Sequence, residues 1–142
     1  MKLLTKNTDY AIRALLVLAK EPSQYLSARM IAKEQKMPYQ FLRTIMQKLI
    51  KNKLVVSKEG VSGGFKIKKD PKKIKITDII YIFQGNIELS ECLFRKKICH
   101  NRENCALRKE IKRIELLVGN EFSKLTIYKL LKKTSLSKKG GR

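Results

Sequence analysis

The chain is poor in the groups that carry out catalysis. Among its 142 residues there is one histidine, His100, and only 12 acidic side chains. No set of nucleophile, general base and orienting partner can be read from that inventory, so an enzyme is not expected. The chain also lacks any run of about eighteen apolar residues, which excludes a bilayer-spanning helix. Residues 1–20 show no charged n-region, apolar h-region and small-residue cleavage site of a secretory signal. The expected setting is the cytoplasm, with no membrane partner, where thiols stay free or bind metal. Cysteine is scarce as well: Cys92, Cys99 and Cys105 are the only three, an odd number confined to fourteen residues. That pattern does not suit a disulfide framework.

What the chain has in excess is positive charge. Thirty-three Lys and Arg against 12 Asp and Glu give a net charge of +21, which favours a polyanionic partner through its field and through counterion release. Nucleic acid is the first such partner to consider. Most of these cations are lysines, which also serve solubility, so charge alone does not decide. The length suits one domain, or a DNA-binding domain with an appended element, and 43% hydrophobic residues suffice for a core.

From Thr8 to Lys20, Ala11, Ile12, Leu15, Leu16, Leu18 and Ala19 recur at helical spacing, with Thr8 as N-cap and Asp9 in the first turn. Pro22 ends this helix. Ser27 caps a second from Ala28 to about Gln35, with Met30 and Ile31 inward. After a turn at Met37-Pro38, the segment from Tyr39 to Asn52 places Phe41, Leu42, Ile45, Leu49 and Ile50 inward. Its outer face carries Gln40, Arg43, Thr44, Gln47, Lys48 and Lys51. Two short helices and a tight turn, the second with a polar and cationic stripe, describe a helix-turn-helix and its recognition helix. Amide and guanidinium groups suit base edges, whereas Lys48 and Lys51 suit phosphates. Leu54 to Val56, a glycine-rich turn from Glu59 to Gly64, and Phe65 to Lys68 then predict a two-stranded wing. Gly60 and Gly63 let backbone approach a duplex, with Lys58, Lys66, Lys68 and Lys69 around them. The predicted DNA contacts are therefore Tyr39, Gln40, Arg43, Thr44, Gln47, Lys51, Lys58, Gly60, Gly63 and Lys66.

Asp70-Pro71 breaks the pattern, and Thr77 is placed to cap a short helix carrying Ile79, Ile80, Ile82 and Phe83 that stops near Gly85. Residues 86–104 hold little periodicity. From Cys105 onward Leu107, Ile111, Ile114, Val118, Phe122 or Glu121, and Leu125 step by fours and threes, the seam of a long helix that packs on another. A chain this small has little else to cover that seam, so a homodimer is expected. Its two recognition helices would read half-sites about 34 Å apart on a pseudo-palindrome in double-stranded DNA. Thr126 caps a last helix through Leu131, and residues 132–142 are expected to be a disordered basic tail. The fold class is thus mainly α with a small β wing: a winged helix-turn-helix over residues 1–85, a cysteine-rich loop over 86–104, and a dimerisation helix with a short C-terminal helix over 105–131.

The cysteine spacing, Cys-x6-Cys-x5-Cys, matches neither zinc ribbons nor bacterial ferredoxins. By itself it leaves open an iron-sulphur cluster, a zinc site completed by His100, a thiol redox switch, or incidental cysteines. Further residues carry a resemblance: Thr8-Asp9-Tyr10-Ala11, Phe41-Leu42-Arg43, Gly60-Val61-Ser62-Gly63-Gly64-Phe65, the three cysteines, and Leu125-Thr126-Ile127, in that order. In these motifs the chain resembles the Rrf2 family of winged-helix transcription regulators, over most of its length. The resemblance implies a homodimeric regulator, expected to act as a repressor, in which Cys92, Cys99 and Cys105 ligate a [4Fe-4S] or [2Fe-2S] cluster. One branch of that family has a histidine two positions after the third cysteine, where this chain has Leu107. The nitric-oxide-sensing branch instead takes an aspartate from the start of the first helix of the partner subunit, and Asp9 holds the matching place. The resemblance thus implies Asp9 as fourth ligand, with His100 as rival, and control by nitric oxide, redox state or cluster supply. An acid there also complements the helix dipole. Glu59 replaces the cation that often precedes the first wing glycine, so no minor-groove cation carries over there. The recognition helix also differs at Tyr39, Gln40 and Arg43, so no operator sequence carries over either.

Overall fold

The computed structural model describes residues 3–89 and 104–140. Helix α1, Lys6–Lys20, runs through the centre of the core, where Ala11, Ala14, Leu15 and Leu18 have no exposed surface. The alanines let α3, α4 and α6 approach it closely, and each buried leucine contributes about 2 kcal/mol over an exposed one. The helix starts earlier than its sequence pattern predicts. Thr5, not Thr8, is the N-cap, and its hydroxyl accepts the Thr8 N–H at 3.3 Å. Two threonines three residues apart both qualify as caps. The choice is made from 76 residues away, because the buried Thr8 hydroxyl donates to Gln84 Oε1 at 2.7 Å.

Ser27 caps α2, Ala28–Gln35, by accepting the Met30 N–H at 3.2 Å. Lys36 then turns the chain in the left-handed region, at φ 52°, and Pro38 leads into α3, Tyr39–Lys51. This helix-turn-helix agrees with the sequence pattern. Two inward assignments do not: Met30 is 59% and Phe41 49% exposed. In a helix of two turns Ile31 and Ala32 suffice to fill the inward face, and the inward stripe of α3 is Leu42, Ile45, Met46 and Leu49. Phe41 instead lies at the surface near the Lys6 ammonium, 5.9 Å from its ring centre.

The wing is β1, Val55–Lys58, antiparallel to β2, Gly64–Ile67, with Val55 opposite Ile67 and Ser57 opposite Phe65. A third segment joins it, since Leu26 and Phe65 exchange backbone hydrogen bonds of 2.9 and 2.7 Å. This clamp anchors the wing to the loop before α2. Gly64 sits at φ +147°, and a Cβ there would run into the Leu26 carbonyl.

A 3₁₀ turn, Pro71–Lys73, precedes α4, Ile76–Gln84. Thr77 is inside α4 rather than its cap: the N-cap is Lys75, whose N–H donates to Asp78 Oδ2 at 3.1 Å. The start of α4 is fixed by a distant strap, because Ile76 N–H donates to Leu125 and Ile127 N–H to Ile74, each at 3.0 Å. Helix α5, Ala106–Ser123, has Cys105 as N-cap and contains no buried residue. Thr126 caps α6, accepting the Lys129 N–H at 3.1 Å. Helix α6 packs Ile127, Leu130 and Leu131 against the core. It continues to Gly140, past the end predicted at Leu131 and into residues expected to be a disordered tail. No proline or glycine interrupts residues 127–139, and the Thr134 and Ser135 hydroxyls bond back to the carbonyls of Leu130 and Leu131. Among the described residues, no helix is long and apolar enough to cross a membrane.

Candidate nucleic-acid interface and metal-ligating residues

Burial of Leu42, Ile45, Met46 and Leu49 fixes the roll of α3 and leaves Gln40, Arg43, Thr44, Gln47, Lys48 and Lys51 exposed. Residues 40, 44, 47 and 51 step by four, three and four, so they form one stripe along the helix. Tyr39 begins it, 40% exposed, with the guanidinium carbons of Arg43 and Arg29 at 6.0 and 5.8 Å from its ring centre. Arg29, on α2, is absent from the sequence-based set. Its sequence neighbours mark a helix but not which groups of the next helix it meets.

In the wing, Lys58 and Lys66 sit over the same ring, that of Tyr25, at 5.6 and 5.3 Å. Tyr25 too escapes sequence reasoning, because it reaches the wing only through the Leu26–Phe65 clamp. At the turn, Gly60 has φ +109°, and a Cβ on Gly63 would meet the Lys58 carbonyl. Each glycine thus has a separate reason to be there. Val61 is fully exposed at the tip. The α3 stripe and the wing together offer cations, amides and a slender hairpin, the donor set of a duplex-reading surface.

Of the residues expected to bind metal, Cys92, Cys99 and the rival ligand His100 lie outside the described residues. Cys105 is a free, partly exposed cysteine at the start of α5. Asp9 accepts from Arg13 Nε at 3.0 Å, one turn along α1, and its side chain remains 43% exposed. Among the described residues, no group of three or more metal-ligating side chains comes together. A free thiol and a carboxylate held, among the described residues, by an exposed ion pair both fit as donors to a thiolate-rich centre, since neither is committed to the core.

The start of α1 is tied to the end of α4. Gln84 Oε1 accepts from Thr5 N–H at 2.9 Å and from the Thr8 hydroxyl at 2.7 Å, while Gln84 Nε2 donates to the Leu3 carbonyl at 2.9 Å. The side chain that ends α4, just before the cysteine segment, therefore grips the turn that presents Asp9.

Helix α5 meets α4 along one face, beside a groove of about 480 Å³ between Tyr81 and Leu116. Its predicted seam stays open at Leu107, 69% exposed, and Ile114, 40% exposed, while Phe122 and Leu125 pack against the core. A second groove, about 390 Å³, is lined by Leu3, Leu117, Val118, Phe122 and Leu125. Leu116 and Leu117 lie off the predicted seam.

Comparison with known proteins gives these surfaces a context. A family model described as an iron-dependent transcriptional regulator, Rrf2, matches residues 4–133. The chain is similar to the HTH-type transcriptional regulator NsrR of Shouchella clausii, with 33% identity over 107 residues, 74% of this chain and 72% of that protein. In fold it is similar to CymR (YrzC), the global cysteine regulator of B. subtilis, with a TM-score of 0.80 and 24% identity over 94% of this chain and 98% of that one. It is likewise similar to T. potens IscR, with a TM-score of 0.70 and 21% identity over 94% of this chain and 88% of that one. The helix-turn-helix, the wing and the length of the family match agree: the chain belongs to the Rrf2 family of DNA-binding transcriptional regulators.

Proposed function

We propose that this regulator is a homodimeric repressor whose operator affinity is controlled by an iron-sulphur cluster, [4Fe-4S] or [2Fe-2S], in response to nitric oxide, redox state or cluster supply. The observation that carries the reading is the Gln84 grip, which joins the end of α4 to the α1 turn bearing Asp9. Helix α1 in turn packs on the recognition helix α3, so a rigid shift of α1 would carry to the DNA-facing stripe, whereas local loosening of its first turn would not. Cys92, Cys99 and Cys105 would supply three thiolates, and Asp9 of one protomer would serve the cysteine segment of the other. When bound, such a cluster supplies a redox-active and nitric-oxide-reactive centre, and a carboxylate donor leaves one iron more exchangeable than a fourth thiolate would.

The chain's own residues set the response. Arg13 competes for Asp9, so a dimer with Asp9 engaged across the interface and one with Asp9 returned to Arg13 are two distinct arrangements. The open seam of α5 supports the dimer that this requires. A tenfold change in operator affinity needs only about 1.4 kcal/mol of difference between the two arrangements.

The experiment is absorption spectroscopy with iron and sulphide analysis on anaerobically purified protein, for wild type, Cys105→Ala and Asp9→Ala. The expected result is cluster absorption in the wild type, its loss in Cys105→Ala, and altered bands in Asp9→Ala. Zinc or free thiols in the wild type after attempted cluster reconstitution would overturn the cluster reading and leave a zinc-bearing or thiol-switched regulator.

A further inference from the structure

The excess of positive charge is concentrated beyond the recognition helix and wing. Residues 68–75 hold five lysines and one acid, Asp70, and no acidic residue follows Glu121. The fold brings these two segments together, because α6 packs on the Pro71–Lys73 turn. Ile127, Leu130 and Leu131 take the inner face of α6, so Tyr128, Lys129, Lys132 and Lys133 fall on its outer side. The Lys72 and Lys132 ammonium groups each lie 4.9 Å from the centre of the Tyr128 ring. One aromatic ring therefore holds two cations from separate elements. Of the acids next to these segments in the chain, Asp70 accepts the Lys72 N–H at 3.0 Å, and Glu121 pairs with Lys124 at 2.6 Å. Like charges gathered this way cost folding energy through self-repulsion, a cost that an anionic ligand removes.

Two kinds of anion suit such a ridge, a duplex backbone and an acidic protein surface. Chain continuity favours the duplex. Lys66, in the wing, is followed by exposed Lys68, Lys69, Lys72 and Lys73, so cations, interrupted by Asp70-Pro71, follow one another from the wing to the turn on which α6 packs. We infer that the ridge formed by the Pro71–Lys73 turn and the outer face of α6, through Lys72, Lys129, Lys132 and Lys133, is a second DNA contact that binds backbone phosphates flanking the operator. It carries no base specificity, since ammonium groups read phosphate as point charges. It extends the footprint of each protomer outward and strengthens binding to long DNA.

The inference rests on the DNA-binding reading, and the test separates the two. An operator selected from random-sequence duplexes is compared as a minimal core and as the same core with about ten base pairs added to each side. The wild type is expected to bind the longer duplex roughly tenfold tighter at low salt, with a steeper salt dependence. Replacing the flanking phosphates by methylphosphonates, at constant length, should abolish that gain. The variant Lys72→Gln/Lys129→Gln/Lys132→Gln/Lys133→Gln, shown to be folded by circular dichroism, should bind the core as the wild type does and show no gain. The same four positions changed to arginine should keep it. A wild-type gain that survives methylphosphonate substitution, no gain at all, or a full gain in the glutamine variant would overturn the ridge as a DNA contact and leave an acidic protein as its partner. Failure of the wild type to select or bind any duplex would overturn the DNA-binding reading itself.

Discussion

Replacing Gln84 by alanine removes three hydrogen bonds at once and leaves the apolar core untouched. The bonds from Thr5 N–H and to the Leu3 carbonyl are exposed, so water replaces them and each is worth about 0.5 kcal/mol. The bond from the Thr8 hydroxyl is partly buried and worth about 1 kcal/mol; Thr8 keeps a 2.9 Å contact with the Thr5 hydroxyl and is not orphaned. The expected loss is therefore about 2 kcal/mol. It should appear in urea unfolding at fixed protomer concentration as a lower midpoint with an unchanged slope. Hydrogen exchange should quicken at the amides of residues 5–9 and stay constant in α3, whose buried stripe Gln84 does not touch. Gln84→Glu keeps the acceptor and loses the donor to Leu3, so its loss should be intermediate. A midpoint shift equivalent to less than about 0.5 kcal/mol, or uniform acceleration of exchange across the chain, would refute the view that Gln84 is a local grip on the turn bearing Asp9.

Other outcomes follow from the same geometry. Arg43→Ala should cost about 1 to 3 kcal/mol on the selected operator and little on random DNA, whereas Lys51→Ala should weaken both and flatten the salt dependence, as measured by fluorescence anisotropy. Gly64→Ala forces a side chain into the Leu26 carbonyl at a positive φ, so it should lower thermal stability by at least about 1 to 3 kcal/mol and weaken DNA binding with it. Gly60→Ala meets no neighbouring atom and should cost less in the same melting experiment, its penalty confined to its φ of +109°. Tyr128 should ionise below the ordinary tyrosine range, chiefly because Lys132 hydrogen-bonds the phenolate, with the charges of Lys132 and Lys72 adding to this. An ultraviolet titration should therefore show an early phenol transition that is lost in Tyr128→Phe and moves upward in Lys132→Gln.

The parts legible in the sequence are those fixed by local rules. Ser27 and Thr126 cap their helices by short-range bonds, the turn through Met37-Pro38 separates α2 from α3, and the glycines of residues 60–64 mark the wing. The outer stripe of α3 was legible because a long amphipathic helix fixes its own roll, and every residue assigned to that stripe is exposed. What escaped depends on partners far along the chain. Thr8 looks like a cap until Gln84 claims its hydroxyl, and Thr77 looks like one until the Leu125–Ile127 strap fixes where α4 begins. Met30 and Phe41 are apolar but exposed, because neighbouring residues on each helix, Ile31 and Ala32 on α2 and Leu42 and Ile45 on α3, already fill the core. Arg29, Tyr25 and Lys72 acquire their neighbours only through tertiary packing. The seam of α5 was readable as an unsatisfied stripe, and within one protomer it remains open at Leu107 and Ile114 but is covered at Phe122 and Leu125.

The most direct test of the account compares the operator affinity of one anaerobic preparation before and after its cluster is removed with chelator or nitric oxide, at fixed salt and with iron measured in each sample. The account predicts at least a tenfold change in Kd for the wild type, or about 1.4 kcal/mol, and no change for Cys105→Ala. Equal affinity of the loaded and stripped wild-type dimers would contradict it.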